Sequence, residues 1–214
     1  MQVLVVANQK GGSGKTTVSS TLAVEAARSG VAVVLMDLDP QGSLSEWFNR
    51  REDESVRFAI ADVPNLAAQL ELLAHEGTDL VIIDTPPSLG EALLDILRVA
   101  DLILIPLKPS GFDLLAVGPT LDLVDESRAR HAFVMTDANP RAKSTASARE
   151  ELAKHAPVAP GALSTRDGYR SAVGHGKTLP EFDPKNPGVG EVAALWSYVS
   201  TQLRKSARLA TNNH

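Results

Sequence analysis

The 214-residue chain contains no cysteine. Disulfides, iron–sulfur clusters, thiolate zinc sites and cysteine nucleophiles are excluded together, and the absence is consistent with a reducing compartment. Long apolar runs are missing as well: stretches such as Val3 to Ala7 and Leu102 to Leu107 are far shorter than the ~20 residues a spanning helix needs. No basic segment precedes the first apolar run, so no secretory signal peptide is expected and a cytoplasmic location is. The five histidines show no metal-ligand spacing. Aromatic residues make up only 4% of the chain, and Trp47, Phe48, Trp196 and Tyr198 fall at helical positions that suit core or partner contacts better than base stacking. A strongly basic balance is also absent. The net charge is −5, which excludes a chain that coats nucleic acid over its whole surface, yet the charge is uneven. Residues 1–163 hold 14 Lys and Arg against 22 Asp and Glu, whereas residues 164–214 hold 7 against 4, so a basic face is compatible with an acidic whole.

What is present is ordinary globular composition, 43% hydrophobic and 22% charged, and the length fits a single domain over residues 1–214. Short apolar runs predict strands at Gln2–Ala7, Val31–Asp37, Asp79–Asp84, Leu102–Pro106, Ala132–Thr136 and, more weakly, Val158–Leu163. They lack polar alternation, as strands covered on both faces do. Helical patterns fill residues 17–29, 90–99, 114–128, 145–155 and 189–209, with Gly30 a left-handed stop for the first. Residues 180–190, rich in Pro and Gly, read as a long ordered loop. Regular alternation of strand and helix predicts an α/β domain with a mainly parallel sheet.

Between the first strand and the first helix lies Asn8-Gln9-Lys10-Gly11-Gly12-Ser13-Gly14-Lys15-Thr16-Thr17. The usual phosphate-loop pattern, G-x-x-x-x-G-K followed by Ser or Thr, fails here because its first glycine falls on Gln9. The context still suits phosphate. Backbone N–H groups of residues 12–17 at a loop and a helix start attract anions, Lys15 would lie along the β- and γ-phosphates, and the Thr16 hydroxyl would hold Mg²⁺. The strand Leu80-Val81-Ile82-Ile83-Asp84 ends in an acid that would serve as the magnesium partner through water. The strand ending at Asp37-Leu38-Asp39 carries two acids of the same period-2 phase, able to face the carboxyl-end crevice where ligands of open α/β sheets bind.

These motifs, K-G-G-S-G-K-T-T at 10–17, D-L-D-P-Q-G at 37–42 and V-I-I-D-T-P-P at 81–87, make the chain resemble the deviant phosphate-loop ATPases of the ParA/MinD type. The likeness continues through R-D-G-Y-R-S-A-V-G-H-G-K at 166–177 and E-F-D-P at 181–184. It implies a three-layer P-loop NTPase fold, a twisted sheet flanked by helices on both faces. It also implies a slow, partner-stimulated Mg-dependent ATPase that binds ATP or ADP through Gly11, Gly12, Ser13, Gly14, Lys15, Thr16 and Thr17. Two subunits would sandwich two nucleotides, with Lys10 crossing to the partner's phosphates as an arginine finger does. Asp39 would orient the attacking water and Asp37 would support the water shell of the metal. Residues 106–109 and 136–139 would flank the adenine.

Within that group, absence separates the branches. Nitrogenase-reductase and iron–sulfur-carrier relatives need cysteines, and the tail from Gln202 to His214 has too few large apolar residues for a membrane-surface helix. No separate amino-terminal DNA-binding domain is expected. The nearest likeness is to short ParA proteins, cytoplasmic and nucleoid-associated, which move plasmids, chromosomes or other cargo with an adaptor of ParB type. An ATP-bound dimer of that kind binds DNA without sequence preference. Arg166, Arg170, Lys177, Arg204, Lys205 and Arg208 are the candidates for phosphate contact, with Arg166 and Arg170 expected on one face of a short helix. A MinD-like positioning ATPase acting at a membrane surface is the alternative, and a nucleotide-switched scaffold with little hydrolysis is a third reading.

Overall fold

The computed structural model describes residues 1–87, 90 and 92–211, the last five of these by backbone alone. Among them, seven strands form one sheet in which every pairing is parallel: Gln2–Val6 (β1), Val33–Asp37 (β2), Arg57–Ile60 (β3), Leu80–Asp84 (β4), Leu102–Leu107 (β5), His131–Ala138 (β6) and Val158–Ser164 (β7). The helices between and after them are Lys15–Arg28 (α1), Ser43–Asn49 (α2), Leu66–His75 (α3), Ala92–Arg98 (α4), Gly111–Ala116 (α5), Gly118–Ser127 (α6), Lys143–Leu152 (α7), Asp167–Val173 (α8), Leu179–Phe182 (α9) and Gly188–Thr211 (α10).

Alternation along the buried strands sorts the core into two layers. Leu4, Val6, Leu35 and Ile82 face α1 and α10, meeting Val18, Leu22, Val192, Leu195 and Val199. Val3, Val5, Met36 and Ile83 face the other way, onto α3, α4 and α6, where Leu70, Leu93, Ile96 and Val124 wait. Because both faces are covered, these strands are apolar at every position except their ends, Gln2, Asp37 and Asp84, which is why period-2 polarity is missing from them. The predicted three-layer α/β architecture is therefore the observed one.

The strand order is β3-β2-β4-β1-β5-β6-β7. From β1 the chain first builds one half of the sheet and then, from β5 onward, the other, so the loop after β1 opens at the point where the order reverses. Crevices at such switch points are where open α/β sheets bind ligands. Register brings the acids there: Asp84 pairs with Val6 on one side and with Asp37 on the other.

Several elements differ from the expectation. Strand β3 and helices α2 and α3 were not anticipated; β3 is a four-residue edge strand with Arg57 and Ile60 exposed, too short and too mixed to register as a buried run. The single helix expected over 114–128 is two, α5 and α6, meeting at Val117, because Pro119 has no N–H to donate and pre-sets the start of a new helix. The helix expected over 90–99 is observed over Ala92–Arg98, with residue 91 outside the described residues. The expected loop over 180–190 instead contains most of α9 and the start of α10. Helix α9 is opened by a capping box in which Thr178 and Glu181 bond reciprocally.

Gly176 docks the α8–α9 connection against the end of α2. It has φ 63°, and an added Cβ would sit 2.4 Å from the Arg50 carbonyl carbon. A Gly176→Ala substitution should cost about 2–4 kcal/mol from left-handed strain plus backbone collision, read as a lower denaturant midpoint at unchanged slope. A loss under about 1 kcal/mol would show that the two segments separate freely.

Candidate functional site

The loop after β1 is held from both sides by side chains outside the glycine motif. Asn8 is buried; its Nδ2 donates to the Pro106 carbonyl at 2.7 Å, its Oδ1 accepts the Lys10 N–H at 2.8 Å, and its backbone oxygen accepts from Lys15 Nζ at 3.0 Å. The Gln9 N–H donates to Thr120 Oγ1 at 3.1 Å, and Thr136 Oγ1 donates to the Ser13 carbonyl at 2.6 Å. Gly14 has φ 95° and precedes the first residue of α1. An added Cβ there would press on Thr136 at 3.1 Å, so left-handed backbone and close approach both require glycine.

The acids close the opposite wall. Thr16 Oγ1 donates to Asp84 Oδ2 at 2.7 Å and Ser19 Oγ donates to Asp84 Oδ1 at 3.0 Å. Asp84 is 1% exposed. Burial pushes its carboxyl up to about 7, against the two hydroxyl bonds, with the Asp37 charge adding to the rise and Lys15 opposing it. Burial likewise lowers the Lys15 ammonium below its ordinary value, opposed by the charges of Asp84 and Asp39. Asp37 has partners of its own. Its Oδ2 accepts from the Ser45 N–H and hydroxyl at 3.0 and 3.1 Å, and its Oδ1 accepts from the Asp39 N–H at 3.0 Å, so it shapes the turn and seats the first turn of α2.

A 430 Å³ cleft results, lined by Gly11 to Thr17, Asp39, Ser43 and Trp47 among others. All seven loop residues expected to bind phosphate are there together with Asp39. Inside this cradle Gly11 and Gly12 leave open space where a Cβ would project, and the buried Ser13 hydroxyl has no partner. Both features suit an anion surrounded by backbone N–H groups. The donor set also suits magnesium. Thr16 and Asp84 offer hard oxygen ligands, with Asp37 behind them, but among the described residues no group of three His, Cys, Asp or Glu side chains makes a metal site by itself. An ion here would need phosphate and water oxygens to complete its shell, which is how Mg²⁺ is commonly held.

Lys10 is outside the lining of that cleft. Its Nζ lies 2.7 Å from Asp113 Oδ2 on α5, with Lys10 33% and Asp113 5% exposed. Burial alone would raise the Asp113 carboxyl, but bonds from Lys10 and Ser110 outweigh it and hold the group below its ordinary value. Within one chain, then, the early lysine has a partner of its own.

The five basic candidates whose side chains are described do not form one patch on a single protomer. Arg170 is exposed beside the loop. Arg166 lies just before α8 in extended conformation rather than on the helix, and its guanidinium is committed to Glu191 at 2.7 Å. The predicted shared helical face is therefore absent, since the i, i+4 rule holds only when both residues are helical. Lys177 lies in the α8–α9 connection, where its carbonyl accepts from Trp47 Nε1 at 3.1 Å. Arg204 and Lys205 sit at the other end of the strands, near Gln2, Asp101 and Arg130, which contact Leu203, Ser206 and Gln202 of α10. The Arg208 side chain lies outside the described residues. Among the described residues, no helix is long and apolar enough to cross a membrane.

Sequence reading gave no role to Asn8, Ser19 or Asp113, and expected Thr136 beside the adenine rather than as a brace on the loop. Ser19 had a signal, three residues after Thr16 and so on the same helical face; Asn8 opens the loop stretch itself, but its Pro106 partner is distant, and Asp113 is brought in from a distant segment. Asp84 also sets a pH dependence. Its folded value of about 7 exceeds the ordinary ~3.9, so between these values the folded chain holds a proton that the unfolded chain releases. Linkage then makes stability fall as pH rises through that window. In EDTA without nucleotide, the denaturation midpoint should drop from pH 5 to pH 8 more steeply for the native chain than for Asp84→Asn; equal slopes would show that Asp84 does not titrate there.

Residues 4–179 match the family model described as the CobQ/CobB/MinD/ParA nucleotide binding domain. The chain is 34% identical over 186 residues to the maintenance of carboxysome distribution protein A of Halothiobacillus neapolitanus, an alignment covering 82% of this chain and 85% of that protein. Over 151 residues it is 32% identical to the protein ParA of Rhizobium radiobacter, covering 67% and 68%. The MinC:MinD cell division protein complex of Aquifex aeolicus matches with a TM-score of 0.81 over 94% of this chain and 96% of that one, at 16% identity, which is a likeness of fold. With its loop, its two acidic strand ends and its sheet order accounted for, the chain belongs to the CobQ/CobB/MinD/ParA nucleotide-binding family, in the ParA/MinD group of partition and positioning ATPases.

Proposed function

We propose that the chain hydrolyses Mg-ATP slowly as a partition-type switch: ATP brings two copies together, the dimer holds DNA without regard to sequence, and a cargo-bound adaptor of ParB type stimulates the hydrolysis that releases it. The observation that carries this reading is the convergence of Lys15, Thr16 and Asp39 on one cleft over a helix start, with the buried Asp84 bonded to Thr16 behind it. Loop N–H groups bind and orient the triphosphate. Lys15 balances charge on the β- and γ-oxygens, and Asp39 positions a water for in-line attack. Thr16 and Asp84 would hold the magnesium, which when bound neutralises charge on the phosphate oxygens.

Hydrolysis is tied to assembly through Lys10. Reaching a partner's phosphates requires this lysine to leave Asp113, so the single chain lacks one cation that the dimer would supply. The names of two relatives, ParA and a carboxysome distribution protein, support cargo positioning as the class of task. For DNA, exposed Arg170 is the foremost contact among the six candidates, and the two ends of the basic set would be combined on one surface only in an assembly.

Lys10→Ala should keep nucleotide affinity within about threefold while lowering adaptor-stimulated turnover about 100-fold or more; undiminished stimulated turnover would sink the trans-lysine role. DNA retardation should appear with ATP and vanish with ADP or no nucleotide. Arg170→Ala should reduce the salt slope of that binding by about one unit per chain. ATP-dependent binding to anionic liposomes without DNA binding would favour the membrane-surface alternative instead.

A further inference from the structure

Helix α5 is built inside out. Phe112 and Leu115 stand 82% exposed on it, while Asp113 between them is 5% exposed. An acid at a helix start is stabilised by the helix dipole when it faces solvent too, and water solvates it better than the protein interior does. Capping does not require the inward turn either. The Ser110 hydroxyl oxygen accepts from the backbone N–H of residue 113 at 3.2 Å, a bond that any residue except proline can supply. What the inward turn provides is Lys10, whose Nζ lies 2.7 Å from Asp113 Oδ2.

Among the described residues, Asp113 makes no other ion pair. The Ser110 hydroxyl also donates to its Oδ2, and its Oδ1 is buried without a hydrogen-bond partner. With Lys10 gone, this enclosed carboxylate would keep one hydroxyl and one empty oxygen. An unpaired buried charge costs far more than a surface ion pair is worth, so Lys10 is held more firmly than an exposed lysine on an exposed acid. The Lys10 backbone is fixed separately: its N–H donates to Asn8 Oδ1 at 2.8 Å, and Asn8 is tied in turn to the Pro106 carbonyl. The side chain can therefore swing away from Asp113 about its own bonds while the loop keeps its shape. Its two states differ by one ion pair.

We propose that Asp113 restrains assembly: it holds Lys10 in the single protomer, and two copies join across nucleotide only when the partner's phosphates attract the lysine more strongly than Asp113 does. This rests on the reading of Lys10 as a lysine that acts in trans. The restraint operates twice in a symmetric dimer, once in each chain. A triphosphate offers the departing lysine a further charged group that a diphosphate lacks, so the exchange favours ATP over ADP. Without nucleotide nothing compensates Lys10 for leaving, and the chain stays single.

Sedimentation velocity over a series of chain concentrations, with Mg²⁺ and a non-hydrolysable ATP analogue, gives the dimer dissociation constant that tests this. Asp113→Asn removes the charge and keeps the shape; it should tighten the dimer about 10-fold or more, the worth of a hydrogen bond between charged groups removed from the competing state. Asp113→Ala leaves the Ser110 cap in place, should tighten the dimer similarly, and serves if the asparagine variant does not fold. In chains that also carry Lys10→Ala, either substitution should give dimers no tighter than Lys10→Ala alone, because no lysine is left to restrain. Folded Asp113 variants that dimerise equally or more weakly than the native chain would overturn the restraint. So would an undiminished gain in the Lys10→Ala background, which would place the effect of Asp113 elsewhere than on Lys10. Failure of the native chain and both variants to dimerise with the analogue would overturn the assembly reading beneath, whereas dimerisation indifferent to Asp113 overturns this inference alone.

Discussion

Asp84, enclosed at the end of a central strand and held by two hydroxyls of one helix, is the contact on which the shape of the site depends. Thr16 and Ser19 are one turn apart on α1, so binding both oxygens of a single carboxylate fixes the rotation of the helix about its axis and its distance from the sheet. That rotation aims the helix N-terminus and the loop N–H groups before it at the crevice. A carboxylate this deeply buried is costly unless it is paired or protonated. The chain meets that cost with hydroxyl donors, proximity to Lys15 and a raised affinity for a proton, and a divalent cation would satisfy the same need. Strain toward cation binding is therefore built into the packing of the sheet.

A second group of contacts carries the shape of this site outward. Asp37 seats α2 through Ser45; α2 ends at Arg50, where Arg51 makes a two-pronged ion pair with Glu181 at 2.7 and 3.0 Å while its guanidinium lies over the Trp47 ring. Burial alone would raise the Glu181 carboxyl, but its bonds to Arg51 and Thr178 outweigh this and hold it low. Removing one partner of such a buried pair leaves an uncompensated charge, which is why it ties segments firmly. Through it, the turn bearing Asp39 is physically continuous with α8 and α9, the segment that carries Tyr169 and Arg170.

Opposed charges appear again at Lys10, whose ammonium rests on Asp113 rather than on solvent or its own phosphate cleft. A lysine already partnered in the single chain can serve another subunit only in exchange for that contact. The same contact sits on α5, where Phe112 and Leu115 stand 82% exposed on either side of Asp113. The loop and the exposed helix are thus joined through one acid, although they lie about a hundred residues apart in the chain.

Local chemistry made the strands, the glycine loop and the acids at the ends of β2 and β4 legible in the sequence. A strand covered on both faces must be apolar throughout, and a loop that approaches phosphate must shed its side chains; both demands act on consecutive residues. The short edge strand β3 escaped because pairing on one side asks little of its composition. The division of α5 from α6 turned on one proline whose effect a helical period conceals. Spatial assembly alone decided that Asn8 clamps Lys15, that Thr136 braces Gly14, that Lys10 meets Asp113, and that Arg166 and Arg204 lie at opposite ends of the strands. A parallel sheet joins residues through its register and its crossovers, so side chains a hundred positions apart become neighbours without any spacing in the sequence that marks them.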